Sequence, residues 1–319
     1  MAWSTRFFLV MVLACPLVVG AEDIAAAENL YQAALEGNIT RVDALLTAHV
    51  TVHDRNVALV AAAGAGHLDV VNALLATHAE VNAHGRSGVT ALSGAAGANY
   101  LDVVKVLLAA KADVNAGAEV GNTALAAAAA ENHLDMVQLL LAAGADVNAG
   151  AGATALLAAA RGGHLDVVRV LLAAGAKIHG VGRNGMTALV AAAGGDHIDV
   201  VRELLAAGAE VSGAALSAAA TAGGLDVVQA LLAAGASMVG QSGQAALLAA
   251  TKSNHYDVAQ VLQRAAVEQT AWQLIDGLAS RFVEPDGVLS KPAQCLPSCW
   301  WLVRVVMIPP PPLAALAQY

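Results

Sequence analysis

Gly163-His164-Leu165-Asp166-Val167-Val168-Arg169-Val170-Leu171-Leu172-Ala173-Ala174-Gly175-Ala176 is a phrase that this chain repeats. Nearly the same letters begin again at His67, His133, His197 and His255, and at Tyr100 and Gly224 with the histidine replaced. Recurrence of this kind marks a stacked array, in which no copy buries its apolar face alone. Domain counting by length therefore does not apply.

The register follows from the aspartate of the Leu-Asp-Val-Val motif, which gives Asp69, Asp102, Asp135, Asp166, Asp199, Asp226 and Asp257, with Thr40 in the slot of an earlier, degraded copy. Ten residues before each anchor stands a leucine: Leu30, Leu59, Leu92, Leu125, Leu156, Leu189, Leu216 and Leu247. Thirteen residues after each of the first seven slots comes a position that holds His53, Asn82, Asn115, Asn148, His179, Ser212 or Val239. Neither spacing varies. All length variation falls between that position and the next leucine, at 6, 10, 10, 8, 10, 4 and 8 residues in order. Packed helices must keep their length to stay in register, while a solvent loop changes length at about 0.6 kcal/mol per doubling.

One unit shows the physics. Thr154 is placed to cap a helix that runs from Ala155 to Arg161 and ends at Gly162 and Gly163. A second helix starts near Leu165, with Asp166 on its positive end, and stops at Gly175, the residue best suited to a left-handed cap. Only Asp166 and Arg169 are polar in Leu165–Leu172, so the helix expects neighbours on more than one side.

At this point the chain resembles the ankyrin-repeat family. The likeness covers about Leu30 to Val267, roughly three-quarters of the sequence, and rests on the period of about 33 residues, the Gly-His-Leu-Asp-Val-Val core and the Leu-Leu-Ala-Ala-Gly-Ala-Asp-Val-Asn ending. It implies an all-α solenoid of about eight helix-turn-helix units with short β-hairpin fingers, ligands being held by finger tips and the concave first-helix face. The family's Thr-Pro-Leu-His departs here to Thr90-Ala91-Leu92-Ser93, Thr123-Ala124-Leu125-Ala126, Thr154-Ala155-Leu156-Leu157 and Thr187-Ala188-Leu189-Val190. The Thr–His hydrogen bond is thereby lost, and looser turns are expected. Only four residues separate Ser212 from Leu216, which predicts a tight turn and a missing finger.

The expected organisation is a signal peptide over 1–21, the repeat array over 22–267, and a capping helix with an irregular tail over 268–319. The leader reading rests on Arg6, the apolar run Phe7–Val19 and the small residues Gly20 and Ala21. An alternative takes Val12-Leu13-Ala14-Cys15 as a lipidation box that acylates Cys15, a pattern that Leu13 and Pro16 fit poorly. Both place the protein outside the cytoplasm, secreted or periplasmic. Cleavage leaves Cys295 and Cys299, which an oxidising compartment allows to pair. A helix is expected from about Gln269 to Phe282 as the cap of the last repeat, with a weakly attached tail beyond.

Composition narrows the partners. Hydrophobic residues make up 58% and aromatics 3%, so the mean hydropathy of +0.62 reflects alanine, and no run beyond the leader reaches the length of a spanning helix. Net charge is −9 with no basic cluster, which argues against nucleic acid.

Few chemical motifs survive the register. His67, His133, His164, His197 and His255 belong to the Gly-His turn, His49 and His78 to the helix-ending glycine slot, and His53 and His179 to the asparagine slot. His84 alone lies outside the pattern. A metal or hydrolytic site built from His53, His78 and His84 with Asp54 is the rival reading, and its ligand spacing is undefined. Gly180, Gly182 and Gly185 spell Gly-x-Gly-x-x-Gly but lie in a finger, without the strand and helix that a dinucleotide site needs. Asn38-Ile39-Thr40 is a glycosylation sequon in a eukaryotic host. The expected function is a non-catalytic protein-binding scaffold that needs no cofactor. Its candidate contacts are His84, Arg86, Ser87, Glu119, Asn122, Arg183 and Asn184 on long fingers, with Glu131, Arg161 and Asp196 near first-helix ends.

Overall fold

A computed structural model describes residues 29–47, 50–85, 88–117, 121–150, 154–182 and 185–282, with backbone alone for 275–282. The leader, Cys15, His49, the tail with Cys295 and Cys299, and five candidate tip residues (Arg86, Ser87, Glu119, Arg183 and Asn184) lie outside the described residues. The chain divides into two compact units, one up to Ala151 and the other from Gly152.

In the first unit the order is α1, described over 29–35, α2 (Ile39–Leu46), α3 (Val52–Ala65), α4 (Leu68–Ala76), α5 (Ala91–Gly97), α6 (Leu101–Ala109), α7 (Ala124–Ala130) and α8 (Leu134–Ala142). The second holds α9 (Ala155–Gly162), α10 (Leu165–Ala173), α11 (Ala188–Gly194), α12 (Ile198–Ala206), α13 (Gly213–Ala222), α14 (Leu225–Ala233), α15 (Gln241–Lys252) and α16 (Tyr256–Phe282). Odd-numbered helices are the first of each pair and even-numbered ones the second. First helices stack on first helices, α3 on α5 and α5 on α7, then α9 on α11, α11 on α13 and α13 on α15. Each unit is thus an all-α helical-repeat stack.

The core is the set of positions that the spacing picks out. Seven of the eight leucines, Leu30 to Leu216, are 0–2% exposed. Second helices from α4 to α16 bury the same phase, as Val167, Val168 and Leu171 do in α10, while α2 buries Val42 alone. Each such side chain contributes about 1.5–3 kcal/mol, and only because a neighbouring copy covers it. Leu165, Val170 and Leu172 remain half-buried, which fits a helix flanked on more than one side.

First helices from α3 to α13 begin on side-chain caps, whereas α15 starts at Gly240 without one. Thr123, Thr154 and Thr187 accept from the backbone N–H groups of Ala126, Leu157 and Val190. The expectation of loose turns is corrected at Thr90, because Ser93 takes the histidine's place: the Thr90 N–H donates to Ser93 Oγ at 3.0 Å and the Ser93 N–H to Thr90 Oγ1 at 3.1 Å. Thr51 and Asp54 form a second box of this kind.

The fingers differ from the expected β-hairpins. Among the described residues there are no strands, and the ladder is reduced to one bridge between His84 and Thr90. The described parts of the long loops are mostly turns. Where the spacing is shortest, the first helix lengthens instead: α3 has 14 residues and α13 has 10, against 7 or 8 for α5, α7, α9 and α11; α15 has 12 although its spacing equals that before α9. Ser212 caps α13 directly, so the turn before it is as tight as its spacing requires. His53 accordingly sits inside α3 rather than in a loop.

The capping helix is not a separate element. Residues 269–282 continue the last second helix without a break, as α16. The last leucine is also an exception, since Leu247 is half-buried while Ala246 and Ala250 are buried.

Candidate interaction surface

Two ladders of polar contacts hold the loops in place. In the first ladder the histidine of one repeat reaches back to the preceding first helix. His67 Nε2 lies 3.0 Å from the Leu35 carbonyl oxygen, and His133 Nε2 3.0 Å from that of Gly97. In the second unit His197 Nε2 is 3.0 Å from the Arg161 carbonyl oxygen. These histidines satisfy carbonyls left over at a helix end, while their own helices start with no side-chain cap. Where tyrosine replaces histidine, the Tyr100 ring stacks on Gly66, whose φ is +82 and whose absent Cβ would stand 2.5 Å from the ring.

Sequence reasoning missed the second ladder. Asn82 Oδ1 accepts the Asp113 N–H at 2.7 Å, and Asn115 Oδ1 accepts that of Asp146 at 2.8 Å. Asn56 does the same for Glu80 at 2.7 Å and donates to its carboxylate at 3.1 Å. The signal was present in the recurring Asp-Val-Asn ending. Asn56 has no such signal, because it does the work of a slot that α3 has absorbed.

The loops carried by these ladders close on themselves. The Gly85 N–H donates to the Val89 carbonyl at 2.7 Å and that of Gly88 to Gly85 at 3.2 Å. In the second unit the pattern repeats, with Gly182 donating to Met186 at 2.8 Å and Gly185 to Gly182 at 3.0 Å. Gly180, Gly182 and Gly185 are therefore turn residues. Both closures bracket the candidate tips, Arg86 and Ser87 in one loop and Arg183 and Asn184 in the other. The third long loop is pinned by the Asn122 N–H on the Gly117 carbonyl at 3.0 Å.

The candidate residues that are described fall into two groups. In the first unit His84 is exposed beside its bridge, Asn122 is half-buried at a loop base, and Glu131 is exposed at the end of α7. In the second, Arg161 and Asp196 are exposed; Arg161 Nη2 lies 3.5 Å from Met186 Sδ, and Asp196 takes a left-handed φ of 58. Many first-helix positions left half-buried are small, as with Gly94, Gly97, Ala127, Ala158 and Ala218, while Val57, Val60, Val190 and Leu247 are larger exceptions. The rival site does not assemble: Asp54 is engaged by Thr51, His78 sits at the left-handed end of α4, and His53 is exposed on α3. Among the described residues no group of three or more His, Cys, Asp and Glu is arranged to hold a metal.

The recurring aspartates sit exposed in the first turn of second helices, where the helix dipole favours them. Lys105 lies 3.6 Å from Asp102, and Arg169 bridges Asp166 at 3.9 Å and Glu203 at 2.9 Å. The hydrogen bond to Glu203, and then its charge, raise the pKa of the Arg169 guanidinium.

A family model described as ankyrin repeats in three copies matches residues 30–118, 88–151 and 125–213, more than half of the chain. The chain belongs to the ankyrin-repeat family. Ankyrin repeats are interaction modules, in general without catalytic activity, and this one is a protein–protein interaction scaffold. No individual curated protein matches the ankyrin chain. Among the described residues, none of its helices is long and apolar enough to cross a membrane.

Proposed function

We propose that this ankyrin array works outside the cytoplasm and grips a folded protein partner with its long loop tips and neighbouring first-helix ends. What carries this reading is the division of labour among side chains. The histidine and asparagine ladders and the threonine caps are committed to holding repeats together. His84, Glu131 and Asp196 are polar, exposed and absent from those ladders. In the first unit the contacts are His84, Arg86, Ser87, Glu119 and Asn122, with Glu131. In the second they are Arg183 and Asn184, with Arg161 and Asp196. Variable residues on closed loops above an invariant scaffold suit recognition of a protein surface. The export half of the proposal rests on residues 1–21, whose basic start, apolar run and small-residue end read as a secretory leader.

The test is affinity capture from the native extracytoplasmic fraction, with the full chain and with a variant in which the seven loop residues are replaced by alanine. Loss of the captured proteins in the variant supports the proposal. Capture of the same set by both overturns it. Mass spectrometry of the mature protein checks export independently: a new amino terminus near residue 22 supports the leader, and an acylated Cys15 replaces it with a lipid anchor.

A further inference from the structure

We propose that Met186 is a modification site, oxidised by a peroxide to methionine sulfoxide, whose oxygen then takes a hydrogen bond from Arg161 and locks the loop that closes between Gly182 and Met186. The modification and the lock stand apart from any partner. Only their effect on binding rests on the reading of that loop as a recognition element.

The pair that carries this is unusual within the array. Arg161 lies in the last turn of α9, and Met186 directly precedes Thr187, the cap of α11. The two side chains meet across neighbouring first helices, with Arg161 Nη2 3.5 Å from Met186 Sδ. At other junctions the same two slots hold Gly64 and Val89, Gly97 and Asn122, or Gly194 and Gly213. None of those pairs sets a cation against a sulfur. The backbone of Arg161 is fixed by His197, while its guanidinium is exposed and meets a thioether, a weak acceptor.

Exposure singles out the same residue. Met136 and Met238 are 0% and 5% exposed, whereas Met186 is half-buried, so among the described methionines it alone is open to a dissolved oxidant.

The reaction balances with hydrogen peroxide as the oxidant. A sulfur lone pair attacks one peroxide oxygen and the O–O bond breaks. The released hydroxide takes the proton from the new S–OH group and leaves as water, so sulfur gives up the two electrons that the peroxide gains. A strongly polar oxygen now stands where the weak acceptor was, and the bond from the guanidinium becomes charge-assisted. The rotatable bonds of Met186 let the pair make room for it. The Met186 carbonyl accepts the Gly182 N–H at 2.8 Å, and the Gly182 carbonyl accepts that of Gly185 at 3.0 Å. Tying Met186 to the end of α9 therefore holds the whole closure.

The experiment treats the full-length protein with hydrogen peroxide and follows sulfoxide at each methionine by peptide mass spectrometry. Met186 should oxidise at least about tenfold faster than Met136 and Met238, and equal rates would overturn the proposal. Amide exchange then tests the lock. In the oxidised protein Gly182 and Gly185 should exchange roughly tenfold more slowly than in the reduced one, the worth of one charge-assisted bond. In Arg161→Ala the sulfoxide should form without that slowing, and in Met186→Leu peroxide should leave both amides unchanged. Slowing that is absent from the wild-type chain, or that survives in either variant, would overturn the proposal. Affinity for a captured partner separates it from the recognition reading: a locked loop with unchanged affinity contradicts the loop's role in binding and leaves the modification standing.

Discussion

The Nε2 of His133 stands 3.0 Å from the carbonyl oxygen of Gly97, 36 residues earlier in the chain. One side chain thereby joins the start of a second helix to the end of the first helix one repeat before it. His133→Ala removes that bond and leaves the carbonyl to water. The expected loss is about 1 kcal/mol of unfolding free energy, read by urea titration at pH 7.5. A midpoint equal to wild type would show that the contact carries no stability.

Asn82 makes a bond of a different kind, because its Oδ1 is the partner of the Asp113 backbone N–H. Asn82→Ala should destabilise the first unit by about 1 kcal/mol, the net worth of one hydrogen bond, since water can reach the exposed Asp113 N–H once its partner is gone. Amide exchange at Asp113 should rise more than at its neighbours. Equal change across the loop would assign the effect to general loosening.

Lys111 holds a φ of +67 in the slot where other repeats place Gly144, Gly175, Gly208 and Gly235. Lys111→Gly relieves left-handed strain at an exposed position and should stabilise the protein by about 1 kcal/mol. Gly66→Ala should do the opposite, because the Tyr100 ring occupies the space that its Cβ needs. Thermal unfolding of the two variants should move in opposite directions, and a shared direction would contradict the assignment.

Leu156 is 1% exposed and Leu247 half-buried, although both stand ten residues before their anchor. Leu156→Ala should cost about 2–5 kcal/mol, and Leu247→Ala clearly less. Equal losses would mean that the last repeat is covered as fully as an interior one.

These contrasts mark how far the sequence was legible. The constant ten residues from leucine to aspartate located every helix pair, because packing forbids length changes there. The thirteen-residue spacing located the asparagine slot without its role, since hydrogen bonding to a neighbouring repeat leaves no periodicity of its own. His53 was misplaced because a shortened loop was absorbed into α3, which put Asn56 in charge of Glu80. The break expected before Gln269 does not occur, because loss of register is not loss of helix, and α16 runs on to Phe282. The tips are proposed by subtraction: what the scaffold does not use is left over, and a sequence does not name what binds there.

The central claim is that scaffold and recognition reside in different residues, and one paired measurement tests it. Unfolding midpoint and affinity for a captured partner are determined for the seven-residue tip variant and for His133→Ala. The account predicts that the tip variant unfolds with the wild-type midpoint while its affinity falls at least about tenfold, and that His133→Ala lowers the midpoint while affinity changes little. Wild-type affinity in a folded tip variant would contradict it.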